Sequence, residues 1–174
     1  METICLVKPA WEHERAVMEY RDEFLRADDD LAGTAGLRHA ESYRTWLQRV
    51  QKNESPETVD EGLVDATNFL AIRESDGALI GFIDVRHRLN DYLTLFGGHI
   101  GYSVRSCERQ KGYATEMLRQ ALVYCKAIGL KRVLITCNDD NEASRRTILA
   151  NCGVIENIAT EDCGQVVERY WIEL

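Results

Sequence analysis

The sequence predicts an α/β (α+β) fold in one domain over residues 1–174, a mixed, largely antiparallel central sheet with helices on both faces. Three observations carry that expectation. Two apolar stretches near the N-terminus repeat at helical spacing, a strand–turn–strand unit follows, and a strand–loop–helix–strand–helix–strand succession fills the C-terminal half. At 174 residues, 45% hydrophobic and 29% charged, the chain can bury a core and is too apolar for disorder.

Ile4 to Val7 predicts a first strand, closed by Pro9. A helix is expected from about Trp11 to Leu25, with Val17, Tyr20 and Phe24 on one face, broken by Asp28-Asp29-Asp30 and by Gly33 and Gly36. Tyr43, Trp46, Leu47 and Val50 repeat at i, i+3, i+4, i+7 and predict a second short helix. Gln51 to Ala66 is polar and acidic, contains Pro56, and reads as a surface loop. Phe69–Ile72 and Ala78–Val85 flank Ser75-Asp76-Gly77, a hairpin turn in which glycine supplies a positive φ. A loop from Leu89 to Gly98 leads to a strand from His99 to Val104. Thr115 to Ile128 is helical, with Leu118, Ala121, Leu122 and Cys125 as its buried stripe and Gly129 just past its end. Arg132–Cys137 is a buried strand, Asn141–Asn151 a helix and Val166–Leu174 a final alternating strand.

Composition narrows the function classes. A formal charge of −8 argues against a nucleic-acid or anionic-membrane binder. No apolar run reaches membrane-spanning length, and the N-terminal patch is too short for a signal peptide, so a cytoplasmic protein is expected. Six scattered cysteines without a Cys-x-x-Cys pair read as reduced thiols, and the four histidines show no zinc-ligand spacing with them, so no metal site is expected.

The informative stretch is Gly98 to Leu118. An apolar strand runs through a short polar loop into Arg109-Gln-Lys-Gly112-Tyr-Ala114, and an amphipathic helix begins directly afterwards. Unpaired backbone N–H groups and the positive end of a helix dipole then converge on one point, which suits a diphosphate. A Walker loop needs Gly-x-x-x-x-Gly-Lys-Ser/Thr, and a dinucleotide fingerprint needs Gly-x-Gly-x-x-Gly; neither fits. The pattern Arg/Gln-x-x-Gly-x-Gly/Ala at a helix start does fit, because the small Gly112 and Ala114 let an anion approach the backbone. Taken alone, the same residues would equally serve as an ordinary helix start with a solvated cationic face.

With Ile100–Val104, the Arg109–Ala114 loop, the helix after it, the strand Val133–Cys137 and Asn141-Glu-Ala-Ser-Arg-Arg146 in this order, the chain resembles the GNAT superfamily of acyl-CoA-dependent N-acyltransferases. The resemblance covers residues 67–174, and the N-terminal helix pair agrees in order only. It implies acetyl-CoA as cofactor, with Tyr102, Ser103 and Val104 meeting the pantetheine arm and a main-chain N–H near Val104 polarising the thioester carbonyl. Arg109, Gln110, Lys111, Gly112, Tyr113, Ala114 and Thr115 would hold the pyrophosphate, and Asn141 would meet the pantetheine or the far side of the cofactor. The implied reaction is direct attack of an amine, on a small molecule or a peptide, upon the thioester. A homodimer is a family-level expectation.

The sequence departs from the family in its acid and base. Many relatives carry a tyrosine two turns into the helix after the Asn; here Thr147 and Ile148 stand there, and Ser144 is the nearest hydroxyl. The strand Val133–Thr136 lacks the glutamate some relatives use. His99 and Asp84 are the base candidates: pairing across the Leu89–Gly98 loop would bring His87 near His99 and Asp84 near Tyr102. His99 would equally fix the loop by hydrogen bonding, and Asp84 pair with Arg86 or Arg88. Glu168 and Tyr170 are further candidates for the acceptor wall, and Cys107 reads as loop filler. The acidic residues Asp28–Asp30, Glu54, Glu57, Asp60 and Glu61 would favour a cationic acceptor. The rival reading is a non-catalytic acyl-CoA-binding or interaction module, to which the missing tyrosine lends some weight.

Overall fold

The alternating apolar residues on either side of Ser75-Asp76-Gly77 fold as a long hairpin, β2 (Ala66–Arg73) against β3 (Leu79–Arg86), in a computed structural model that describes residues 2–174. β1 (Ile4–Val7) lies outside β2, and β4 (Ile100–Val104) outside β3, giving a four-stranded antiparallel half-sheet in the order β1-β2-β3-β4. A second antiparallel half-sheet holds β5 (Arg132–Asn138), β6 (Val154–Thr160) and β7 (Val166–Glu173), with β7 in the centre.

Helices cover both faces. On one, α1 (Glu14–Arg26) and α2 (Tyr43–Lys52) bury Val17, Tyr20, Phe24, Tyr43, Trp46 and Leu47 against Leu70 and Phe82. Truncating an aromatic of this kind costs about 3–5 kcal/mol. Ser42 caps α2 by accepting the Thr45 N–H. On the other face, α3 (Tyr113–Ala127) and α4 (Glu142–Ala150) bury Met117, Leu118, Ala121, Cys125 and Ile148 against Ile83, Val85, Ile100, Val133 and Ile135. Gly129 follows α3 at φ +93°, the left-handed geometry expected past a helix end.

Several expectations are corrected in detail. The first helix opens with a 3-10 turn over Trp11–His13. β6 falls between the expected last helix and final strand, where the sequence predicts no element: at the sheet edge its residues are largely exposed on both faces, so no alternation marks it. β3 and β4 pair one residue away from the expected register, Asp84 opposite Gly101 and Ile83 opposite Tyr102. The His87 ring lies between Asp65 Oδ2 at 3.0 Å and Thr67 Oγ1 at 2.9 Å. The Leu89–Gly98 loop contains a π turn over Leu93–Gly97, whose carbonyl at Gly97 accepts from Arg86 Nη1 at 2.9 Å.

The two half-sheets touch at one end of β4 and β5. The His99 N–H donates to Leu134 O at 2.7 Å, and the Leu134 N–H donates to His99 Nδ1 at 2.9 Å. Gly98, at φ +63°, permits the approach, since a Cβ there would sit 2.7 Å from Leu134 O. Beyond this junction the two strands belong to separate sheets, and β4 keeps one free edge. Among the described residues no helix is long and apolar enough to cross a membrane.

Candidate functional site

The free edge of β4 follows from strand geometry. The Arg86 N–H donates to His99 O and the Arg105 N–H to Ile80 O, so odd-numbered residues of the strand turn their backbone toward β3. Tyr102 and Val104, between them, direct their N–H and C=O groups to the opposite side. That side is a cleft of about 860 Å³ between β4, the start of α3 and the start of α4.

The cleft floor ends at the α3 N-terminus. Gln110 (φ +61°) and Gly112 (φ +86°) both adopt left-handed conformations, which fold the loop back on itself and open the helix at Tyr113. A non-glycine residue pays steric strain at such a φ, so Gly112 is the natural occupant of the cap and Gln110 a strained one. No side chain caps this helix. Glu116 N–H is the first that returns to the loop, bonding Gly112 O at 3.2 Å. The Tyr113, Ala114 and Thr115 amides therefore face the cleft with the helix dipole behind them.

The cationic residues stand differently from one another. Arg109 lines the cleft, its Nε donating to Val104 O at 3.0 Å, its Nη2 paired with Asp29 and its guanidinium over the Phe24 ring. Lys111 points away from the cleft, bonding Glu108 Oε2 at 2.9 Å on the flank shared with Arg73 and Tyr113. Arg146, not singled out by the sequence reading, lines the cleft from α4 and is held by Glu142 at 2.7 Å. Its signal was present in the Asn141–Arg146 run, where the N-cap phase places the sixth residue beside the first turn.

The opposite wall comes from α4. Asn141 caps that helix, its Oδ1 accepting the Ser144 N–H at 3.0 Å, and lines the cleft. Ser144 Oγ lies 2.8 Å from Tyr102 Oη, and burial pushes the Tyr102 phenol up to about 12 against the opposing hydrogen bond from Ser144. Ser103 reaches the cleft but its hydroxyl is engaged, donating to Ala32 O at 2.7 Å and accepting from Tyr20 Oη at 3.1 Å. Asp29 and Asp30, from the segment after α1, complete the acidic rim.

The remaining candidates lie outside the cleft. His99 sits at the strand junction, where burial lowers its pKa to about 4 and its Nδ1 already accepts an amide. Asp84 is buried behind Gly101, with Arg86 Nε 3.6 Å away. Glu168 is gripped by Arg145 at 2.8 and 3.0 Å and by Tyr170 Oη at 2.7 Å, and the Arg145 hydrogen bond holds its carboxyl below the usual range. Glu168 and Tyr170 thus anchor α4 to β7. Cys107 is exposed on the loop, away from the cleft lining. Among the described residues no cluster of His, Cys, Asp and Glu could hold a metal ion.

Residues 4–154 match the family model described as an acetyltransferase (GNAT) domain. No curated protein matches the sequence. Among solved structures, the chain is similar to RimJ of Mycobacterium smegmatis in complex with CoA-disulfide, with TM-score 0.71, 17% identity, and coverage of 98% of this chain and 81% of that one. It is similar to the ribosomal-protein-S5-alanine acetyltransferase of Vibrio fischeri (TM-score 0.68, 18% identity, 98% and 91% covered). It is also similar to the spermidine/spermine N-acetyltransferase SpeG of Vibrio cholerae (TM-score 0.65, 15% identity, 98% and 95% covered).

Proposed function

The chain belongs to the GNAT acetyltransferase domain family, and from that premise we propose that it binds acetyl-CoA in the β4–α3–α4 cleft and transfers the acetyl group to a primary amine. The observation that carries this reading is the uncapped α3 N-terminus, with three amides aimed along the free edge of β4. Anion binding at a helix start of this kind is favourable by about 0.3–2 kcal/mol per charge, and the several amides act together.

The residues fit the cofactor part by part. Tyr113, Ala114 and Thr115 amides receive the pyrophosphate, with Gln110 and Gly112 shaping the loop and Arg109 and Arg146 supplying charge. Arg109 exchanges Asp29 for phosphate in that step. Lys111 contributes from the flank through long-range charge. The pantetheine amides pair with the free backbone groups of Tyr102 and with the Val104 N–H, the Val104 carbonyl being held by Arg109, and the Asn141 side chain closes the arm from the α4 side. Ser103 supports that strand through Tyr20 and Ala32.

Ser144 lines the cleft and protonates the departing thiolate, with Tyr102 as its hydrogen-bond partner. His99 serves as the bolt of the strand junction, since its Nδ1 lone pair is committed to Leu134. The acceptor is a primary amine on a small molecule or peptide; two of the similar structures carry names for alanine and spermidine/spermine acetylation.

Calorimetry with CoA tests the cleft. Binding is expected for the parent and lost in Gly112→Val, because a β-branched residue at φ +86° is strained and shifts the loop that opens the helix. Equal affinity in the two proteins overturns the pyrophosphate site. Free-thiol release from acetyl-CoA against a panel of amines separates the enzyme from a binding module, which would bind CoA with no turnover.

A further inference from the structure

The walls of the cofactor cleft carry more acid than base: Asp29, Asp30, Glu108 and Glu142 line it, against Arg109 and Arg146. An incoming diphosphate is repelled by that excess unless the acids keep cations of their own. Glu108 is held by Arg73 Nη1 at 3.1 Å and by Lys111 Nζ at 2.9 Å, and neither cation lines the cleft. Glu142 pairs with Arg145 as well as with Arg146, so it keeps a partner when Arg146 turns to a phosphate. Asp30 faces solvent. Asp29 differs from these three, because its cation, Arg109, is the one a diphosphate at the α3 N-terminus needs.

The end of α1 sets where Asp29 stands. The Asp29 N–H donates to Phe24 O at 3.0 Å, five residues back, and Asp28 before it adopts φ +49°, the left-handed turn that takes the chain out of the helix. The Arg38 guanidinium donates to Asp29 O, and the Asp30 N–H donates to Asp29 Oδ1 at 2.9 Å. That leaves Oδ2 to accept from Arg109 Nη2. Arg109 is held from two further directions, by Val104 O at 3.0 Å from its Nε and by the Phe24 ring, whose centroid lies 5.7 Å from the guanidinium carbon. The guanidinium therefore keeps its place in the cleft without the carboxylate. A second ion pair, Glu23 with Arg105 at 3.1 Å, joins the same two parts of the chain outside the cleft lining.

Resting on the reading of the cleft as a coenzyme A site, we propose that Asp29 is an internal stand-in for the cofactor's phosphate: its carboxylate competes with the pyrophosphate for Arg109 and thereby sets how tightly the cofactor is held. Carboxylate and phosphate offer a guanidinium fork the same kind of acceptor. Asp29 loses its counter-charge when Arg109 turns to a phosphate, and regains it when Arg109 is released. Parting the pair takes a share of the binding energy, so acetyl-CoA and CoA are both held less tightly than the amides and cations alone would hold them. The same exchange eases departure of CoA after transfer, a step that limits turnover in many enzymes.

The test is the Kd for CoA, by calorimetry, in the parent, Asp29→Asn, Arg109→Gln, the double variant and Glu23→Gln. Asparagine keeps an acceptor for the Asp30 N–H and removes only the charge. Asp29→Asn is expected to bind CoA roughly fivefold more tightly, the scale of one partly exposed ion pair, with the gain shrinking as salt rises from about 0.05 to 0.5 M. In the Arg109→Gln background the same change should alter Kd less than twofold, because no guanidinium remains to be contested. Glu23→Gln should leave Kd within twofold of the parent, which separates competition at the phosphate site from a general loosening of α1. A gain below twofold in Asp29→Asn, a gain undiminished without Arg109, or an equal gain in Glu23→Gln overturns the proposal. Should Asp29→Asn fail to fold, Asp29→Ser takes its place with the same expectation. A parent with no affinity for CoA overturns the cofactor site and this proposal with it; a parent that binds CoA, with no gain in Asp29→Asn, overturns this proposal alone.

Discussion

Asp84 is a carboxyl held where solvent is scarce and donors are few, and its thermodynamic signature follows from that. Burial raises its pKa in the native state above the unfolded value, with the Arg86 charge and the Asn68 hydrogen bond opposing. A group raised in this way binds more protons folded than unfolded. Its ionisation therefore costs nothing below the unfolded pKa of about 3.9 and costs progressively more as pH rises toward the native value. Asp84→Asn removes that penalty while keeping the shape. The variant is expected to melt about 2–4 °C above the parent at pH 7, taking ~1 kcal/mol for the relieved charge. The gain should vanish near pH 3. A melting point at or below the parent's at neutral pH would show that the carboxylate is well solvated in the native protein.

At the scale of the element, the β4–β5 junction depends on one imidazole. The His99 pKa is pulled from 6.5 down to about 4 by burial, while the hydrogen bond from the Leu134 amide acts against that shift. A depressed base binds fewer protons folded than unfolded, so its contribution is complete above pH 6.5 and is lost as pH falls through 4, a span worth about 3 kcal/mol. Protonation also places a hydrogen on Nδ1 against the Leu134 N–H and parts the strands. In His99→Gln, which keeps an acceptor but cannot titrate, the urea midpoint should lose its slope between pH 6.5 and 4; a slope parallel to the parent's would remove His99 as the bolt. The sequence made the elements around this junction legible because each buries one face: the α3 stripe, the β2–β3 hairpin and the strand from His99 all carry strong periodicity. It made the cleft loop legible because Gly112 and Ala114 are small where the backbone opens a helix onto the cleft. It could not show β6, whose residues are largely exposed on both faces, nor the one-residue register shift that puts Gly101 opposite Asp84. It could not show that His87 turns to Asp65, since that partner lies 22 positions away, or that Lys111 turns outward to Glu108.

For the molecule as a whole, the two half-sheets diverge around a cleft whose walls come from β4, α3 and α4, and backbone and ring hydrogen bonds join them where His99 meets Leu134. A ligand lying along the free edge of β4 and ending at the α3 amides spans the strand edge and the helix start together. Binding to the native state alone stabilises it by RT ln(1 + [L]/Kd), about 2.7 kcal/mol at a hundredfold excess over Kd. In a domain of this length that corresponds to about 5–11 °C in melting temperature. CoA at a hundred times its Kd should therefore raise the melting point by that amount while the transition stays single. Hydrogen exchange should slow at the Tyr102 and Val104 amides and at Tyr113–Thr115, the groups left open to the cleft, and remain unchanged on β6, which lies outside it. The same thermal shift accompanied by protection on β6 and none at Tyr113–Thr115 would place the cofactor on another surface. The α3 cradle would then be a helix start open to water.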